Sequence, residues 1–116
     1  MSGDATAIFD LAAFERQTGG DADLCAEIIQ MFLEDCPGRV ADIRAAISKG
    51  DALELVSSAH SLKGSASYMA ASIVRGHAAD LERFGRENNL DAAPAALADL
   101  DAAVTVLLAE LRKINR

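Results

Sequence analysis

The chain contains no tryptophan, one tyrosine and four phenylalanines, so aromatics make up only 4% of its 116 residues. Its core must then be built from aliphatic side chains, and with 51% hydrophobic residues, alanine prominent among them, it has enough of them. A thin, closely spaced helical core fits that composition. Lysine and arginine form no run, and the formal net charge is −7, which argues against nucleic acid as a partner. No uninterrupted apolar run approaches the ~20 residues of a membrane span. The first five residues, Met-Ser-Gly-Asp-Ala, lack the basic and apolar regions of a signal peptide. Cysteine is scarce: Cys25 and Cys36 are the only two. On one helix they would stand ~16 Å apart along its axis, too far to bridge. A reduced, cytoplasmic protein with both thiols as small core residues is expected. There is no glycine-rich phosphate loop, and hence no visible ATP site.

Helical periodicity divides the chain. Residues 1–7 read as disordered and 8–116 as a single domain. A short helix is predicted from Asp10 to Gln17, with Asp10 as N-cap, Ile8, Leu11 and Phe14 as its apolar side, and Gly19-Gly20 at its end. A second begins at Asp21 or Asp23 and ends at Lys49-Gly50. Its stripe is Leu24, Ile28, Met31/Phe32, Cys36, Val40, Ile43 and Ile47. The stripe stays in phase across Pro37, which favours one long kinked helix over two helices meeting at Cys36. Asp51 caps a third helix that runs to about Met69. After a break near Ala70–Ser72, a fourth places Ile73, His77, Leu81 and Phe84 on one face. Gly85 to Asn89 turns the chain. Asp91 is the expected cap of a last helix, with Pro94 in its first turn and Leu97, Leu100, Val104, Leu107, Leu111 and Ile114 as its stripe. Lys113 and Arg116 suit the negative end of its dipole. The expected fold is all-α: an antiparallel up-down-up-down four-helix bundle with a short N-terminal helix packed on it.

The third helix carries the chemistry. Leu55, Ala59, Leu62, Ala66 and Met69 follow at helical spacing and form its buried stripe. At about 100° per residue, His60 lies ~140° from the centre of that stripe and faces water. Val56, Gly64, Ser67 and Ala71 share its side, and Lys63 stands one turn on. A solvent-facing imidazole is largely unprotonated at neutral pH and can act as a nucleophile. A nearby ammonium would offset the charge of a phosphoryl group placed on Nε2. Gly64 sits mid-helix, where glycine costs about 1 kcal/mol relative to alanine, and it leaves bare backbone beside the histidine. An isolated His-x-x-Lys pair is most often an ordinary surface pair; the unforced glycine shifts that balance. His77, inside the apolar stripe of its helix, reads as a packing or boundary residue.

The segment Ala59-His60-Ser61-Leu62-Lys63-Gly64-Ser65-Ala66 resembles the A-H-x-L-K-G-S-A core of histidine-containing phosphotransfer (HPt) domains. Phe32-Leu33-Glu34-Asp35 with Pro37 is similar to the family's F-L-E-D-x-P segment, and Leu81-Glu82 to its L-E pair. Ala70 departs from the pattern, which commonly has glycine ten residues after the histidine. The resemblance implies a phosphorelay intermediate. His60 would accept a phosphoryl group from the aspartyl phosphate of a receiver domain and pass it to another receiver aspartate. Lys63 would stabilise its charge, Gly64 would admit the partner, and Val56, Ser67 and Ala71 would line the docking surface. The partners implied are response-regulator receivers of a hybrid histidine kinase and a downstream regulator, acting on a monomer. No cofactor or metal is required of this chain, because Mg²⁺ is expected in the receiver's own acidic pocket. Such a protein is a phosphocarrier rather than a kinase with its own ATP site. Two other classes compete: a helical interaction module that is never phosphorylated, and a metal-binding bundle using His60 or His77 with carboxylates such as Glu82.

Overall fold

The computed structural model describes residues 8–115; the expected disorder of residues 1–7 and the position of Arg116 lie outside them. Its helices are α1 (Leu11–Gln17), α2 (Ala22–Lys49), α3 (Ala52–Tyr68), α4 (Ser72–Arg86) and α5 (Ala93–Ile114), and no strand occurs among the described residues. Short connections make successive helices antiparallel. α2 packs on α3, α3 on α4 and α4 on α5, and α5 returns to α2, which closes an up-down-up-down bundle.

Aspartates start the first three helices. Asp10, Asp21 and Asp51 each accept a hydrogen bond from the backbone N–H three residues on, at 3.0 Å, satisfying one of the orphan donors of the first turn. The last helix begins differently. Asp91 is not its cap but part of a 3-10 turn, Leu90–Ala92, after which Pro94 occupies the first turn of α5. That turn already sets the entry angle, and a proline there removes an N–H that needs no partner.

Four helices end in one pattern. The backbone N–H groups of Gly20, Asp51, Ala71 and Asn89 donate back to Glu15, Ala46, Ala66 and Phe84, at 2.9, 2.9, 2.9 and 2.8 Å. This closure needs a left-handed residue just before the donor. Gly19 (φ 70°), Gly50 (φ 69°) and Asn88 (φ 54°) are suited to it; Ala70 (φ 59°) is not. The bend after α3 therefore forms with alanine, under local strain.

α2 continues through Pro37 as one helix, as its uninterrupted phase predicts. The buried face starts one residue off the expected line. Ile29, Phe32, Cys36, Val40, Ile43 and Ala46 are buried, whereas Leu24 and Met31 are 38% and 59% exposed. The first turns of α2 meet the ends of α1 and α5. Cys25 Sγ lies 2.9 Å from Thr18 Oγ1, and Asn115 Nδ2 donates to the Ala26 carbonyl at 3.1 Å. In-phase counting from Cys25 gives the observed stripe. Both cysteines are free, and burial pushes the Cys36 thiol up to about 11, as suits a core residue.

α1 docks on the corner where α3 turns into α4. Phe14 is fully buried, with its ring edge-on to Tyr68 at 6.5 Å, while Leu11, expected on the apolar side, is largely exposed. Gln17 Nε2 donates to the carbonyls of Tyr68 and Ser67 at 3.0 and 3.3 Å, and the Asp10 N–H donates to the Ala70 carbonyl at 3.3 Å. The short helix thus donates to carbonyls at the end of the longer one. On α4 the buried set is Val74, Ala78, Leu81, Glu82 and Gly85; Ile73, His77 and Phe84 flank it half-buried. Small residues face α3 because the two helices approach closely. A Cβ on Gly85 would stand 2.8 Å from Val56 Cγ2 and 3.1 Å from the Ala52 carbonyl oxygen. Within the 25-residue span Leu90–Ile114 an 18-residue window reaches a mean hydropathy of 1.6, enough by length and composition to cross a membrane. Leu97, Leu100, Leu107 and Leu111 are instead committed to the bundle core, while Ile114, expected to extend their stripe, is 45% exposed.

Two substitutions test these packing arguments in opposite directions. Ala70→Gly relieves the left-handed alanine and is expected to raise stability by about 0.5–1 kcal/mol in urea melts. Gly85→Ala inserts a methyl against backbone and a stiff valine, and is expected to lower it by about 1–3 kcal/mol.

Candidate functional site

The buried stripe of α3 is as its spacing requires: Leu55, Ala59, Leu62 and Ala66 are fully buried and Met69 nearly so. His60 lies on the far side with 64% of its side chain exposed. Gly64, one turn on, is exposed, and a Cβ built on it meets nothing within 4 Å. Ser67 is exposed on the same side. Val56 is half-buried, its methyl turned onto Gly85 of α4 rather than outward. Ala71 corrects the expected docking surface, because it is fully buried. α3 stops at Tyr68, and the left-handed turn at Ala70 swings Ala71 inward to become the N-cap of α4. Helical projection from His60 does not extend beyond Met69.

The residue that organises the site comes from α4. Glu82 is 4% exposed and reaches beneath His60. Its Oε2 lies 3.1 Å from His60 Nδ1 and accepts from Arg86 Nη2 at 2.6 Å. Its Oε1 is buried and meets the Lys63 ammonium at 2.6 Å as an ion pair, outside hydrogen-bond alignment. Burial acts to raise the Glu82 carboxyl. The contacts with Lys63, Arg86 and His60, together with the charge of Lys63, outweigh it and hold the group down at about 2. Glu82 is thus a carboxylate, which can only accept. In the neutral imidazole the proton between it and His60 therefore belongs to Nδ1, which puts the lone pair on Nε2, across the ring.

Lys63, one-third exposed, is thereby engaged by Glu82 rather than standing free beside the imidazole. The buried phase of α4 could have revealed Glu82, since it shares a face with Val74, Ala78 and Gly85. A carboxylate on such a face needs cationic partners, and Lys63 and Arg86 supply them. His77 lies elsewhere, half-buried in a shallow groove with Ile73, Asp99 and Val106. Among the described residues, no three His, Cys, Asp or Glu side chains converge as a metal site would require. Beside Gly64, on the α2 side of α3, Met31 and Tyr68 are 59% and 43% exposed and border a groove of about 210 Å³. Neither was a sequence candidate for docking. Helical phase puts Met31 in the core stripe, and the exposure of Tyr68 depends on where α3 ends.

Residues 27–112 match the sequence profile of the Hpt domain. The chain belongs to the Hpt domain family. Two solved structures are similar to this Hpt domain over nearly its whole length. The histidine-containing phosphotransfer protein B (HptB) of Pseudomonas aeruginosa PAO1 is 25% identical, with a TM-score of 0.88 over 93% of this chain and 94% of that one. The HPT domain of an Hpt sensor hybrid histidine kinase from Shewanella shares the fold, at 17% identity and a TM-score of 0.81, over 92% of each chain. No curated protein sequence gives a significant match. The Hpt match covers α3 and α4 entire, and therefore His60, Lys63, Glu82 and Arg86 together.

The depressed Glu82 carboxyl gives the Hpt domain a defined acid response. Its folded value near 2 lies below the ordinary 4.5, so the stabilisation is complete above 4.5 and is lost as pH falls from there toward 2. Glu82→Gln is expected to cost about 2–3 kcal/mol at neutral pH, allowing for the solvent exposure of His60 and Arg86. In urea melts across that range, the gap between variant and parent should close on acidification.

Proposed function

We propose that this Hpt domain is the intermediate of a phosphorelay, with His60 as its phosphoryl carrier. Nε2 of His60 attacks the phosphorus of a receiver's aspartyl phosphate. The N–P bond forms as the P–O bond to aspartate breaks, and the aspartate leaves as a carboxylate. The imidazole becomes cationic and keeps its Nδ1 proton, so no proton need move. The same steps in reverse deliver the group to a second receiver. The observation that carries this reading is the contact of Glu82 Oε2 with His60 Nδ1. It fixes the tautomer with a bare Nε2 and sets a buried carboxylate against the side of the ring where positive charge develops. Lys63 adds positive potential to the same cluster, and Gly64 leaves the approach to Nε2 clear. The docking surface comprises Gly64 and Ser67 with Met31 and Tyr68, all exposed, bordered by the charges of Asp35 and Arg39 in the same groove. Its partners are receiver domains, one from a hybrid histidine kinase and one downstream, which bring their own Mg²⁺. The protein acts as a cytoplasmic monomer. Its likeness to HptB, a histidine-containing phosphotransfer protein, supports the assignment.

His60→Ala should accept no label from a phosphorylated receiver yet stay folded, with its melting temperature lowered by a few degrees at most, since the exposed side chain gives up one hydrogen bond and leaves Lys63 and Arg86 on Glu82. Label on that variant would exclude His60; an unlabelled parent would favour the non-covalent interaction module instead. Gly64 separates stability from transfer. Gly64→Ala should stabilise the domain by about 0.5–1 kcal/mol, and Gly64→Gln should leave it at least as stable. Both should slow transfer, the glutamine more. A Gly64→Gln protein that melts lower and transfers as fast would make the glycine structural.

A further inference from the structure

We infer that Arg86 is a second cation of the site, poised to leave Glu82 for the phosphoryl group once His60 carries it; the inference rests on His60 being the phosphoryl carrier. One oxygen, Glu82 Oε2, serves both His60 Nδ1 at 3.1 Å and Arg86 Nη2 at 2.6 Å. While the imidazole is neutral, that oxygen has one cationic partner and one neutral donor. Attachment of phosphoryl to Nε2 makes the ring cationic, and two cations then compete for a single oxygen. At the same moment a multiply charged anion appears across the ring. The exchange is favourable at both ends: Glu82 remains neutralised by the imidazolium and by Lys63 on Oε1, and the anion gains a guanidinium.

Arg86 is built for such a move. It sits in the last turn of α4, one helical turn beyond Glu82, with 61% of its side chain exposed. Glu82 is its one ion-pair partner among the described residues. Of its five N–H donors, a single Nη2 contact is engaged, so the fork can meet phosphoryl oxygens side-on. Lys63 is less free to do this. It is only 32% exposed and, among the described residues, is the one ion-pair partner of the buried Oε1, which would be abandoned if the ammonium moved. The two cations are thus divided between tasks, Lys63 holding the carboxylate and Arg86 exchanging. In the resting state Arg86 is a positioning residue, acting on His60 through Glu82.

The test uses the whole chain and potassium phosphoramidate, which places a phosphoryl group on reactive imidazoles as its P–N bond breaks and ammonia leaves. Two readouts follow the label. On labelling of the parent, the Arg86 Nε–Hε resonance should shift, and it should return as the phosphohistidine hydrolyses. In ³¹P spectra, a guanidinium on the phosphoryl group should hold it fully ionised to lower pH. Arg86→Ala should therefore raise its titration midpoint by about 0.5–1 unit, the equivalent of a 3–10-fold loss of preference for the ionised form. Arg86→Lys should recover part of that shift. An Arg86 that stayed on Glu82 would move the melting temperature, and the midpoint by way of the imidazole, but its Nε–Hε resonance would not respond to labelling. If the parent labels at His60 but the midpoint is the same in Arg86→Ala and the Arg86 resonance does not respond, the exchange is refuted and His60 as carrier survives. A parent that takes no label at His60 overturns both.

Discussion

Close approach of α3 and α4 is the constraint on which the site depends. It is permitted by what α4 lacks at the contact: Gly85 is buried against Ala52 and Val56 of α3 with no side chain between them. At Gly85 even a methyl group would overlap Val56 and crowd a backbone carbonyl. Small residues let the helix backbones come together, and only at that distance can a glutamate side chain on α4 reach under a histidine on α3. A bulkier seam of the same hydrophobicity would still fold into a bundle. It would leave Glu82 short of the imidazole, and the tautomer of His60 unspecified.

Burial of Glu82 creates a demand that the neighbouring residues meet. A carboxylate removed from water is tolerated when cations and donors replace its hydration, and three of them converge here from two helices. The arrangement links stability to chemistry. The same contacts that hold the carboxyl down at about 2 decide which imidazole nitrogen carries the proton, and which faces solvent. Lys63 and Arg86 add charge to the site by way of an acid whose burial only the phase of α4 marks.

The remainder of the bundle serves mainly to hold α3 in place. α2 crosses Pro37 without a break, and α5 closes the bundle against α2 and α4. α1 secures the end of the histidine helix by donating to its last carbonyls. At the bend that follows, Ala70 adopts a conformation better suited to glycine, a local strain that the surrounding hydrogen bonds sustain.

Periodicity alone determined the helices, the inward stripe of α3 and the outward direction of His60, because those depend on the angular step between residues of one helix. The clear surroundings of Gly64 were legible for the same reason, as were the caps Asp10 and Asp51, which act within a single turn; Asp21 was one of two candidates, and Asp91 proved to lie in a 3-10 turn. The family resemblance, carried by a contiguous motif around His60, needed no tertiary information either. What the fold alone decided are relations between helices. The stripe of α2 rotates to Cys25 and Ile29 because its first turns meet α1 and α5. Ala71 turns inward because α3 ends before it, a matter of closure rather than of angle. Glu82 becomes the centre of the site because it is 22 residues from His60 in sequence and 3.1 Å away in space. No period within either helix encodes that distance; it follows from how closely two backbones can pack when the residues between them are small.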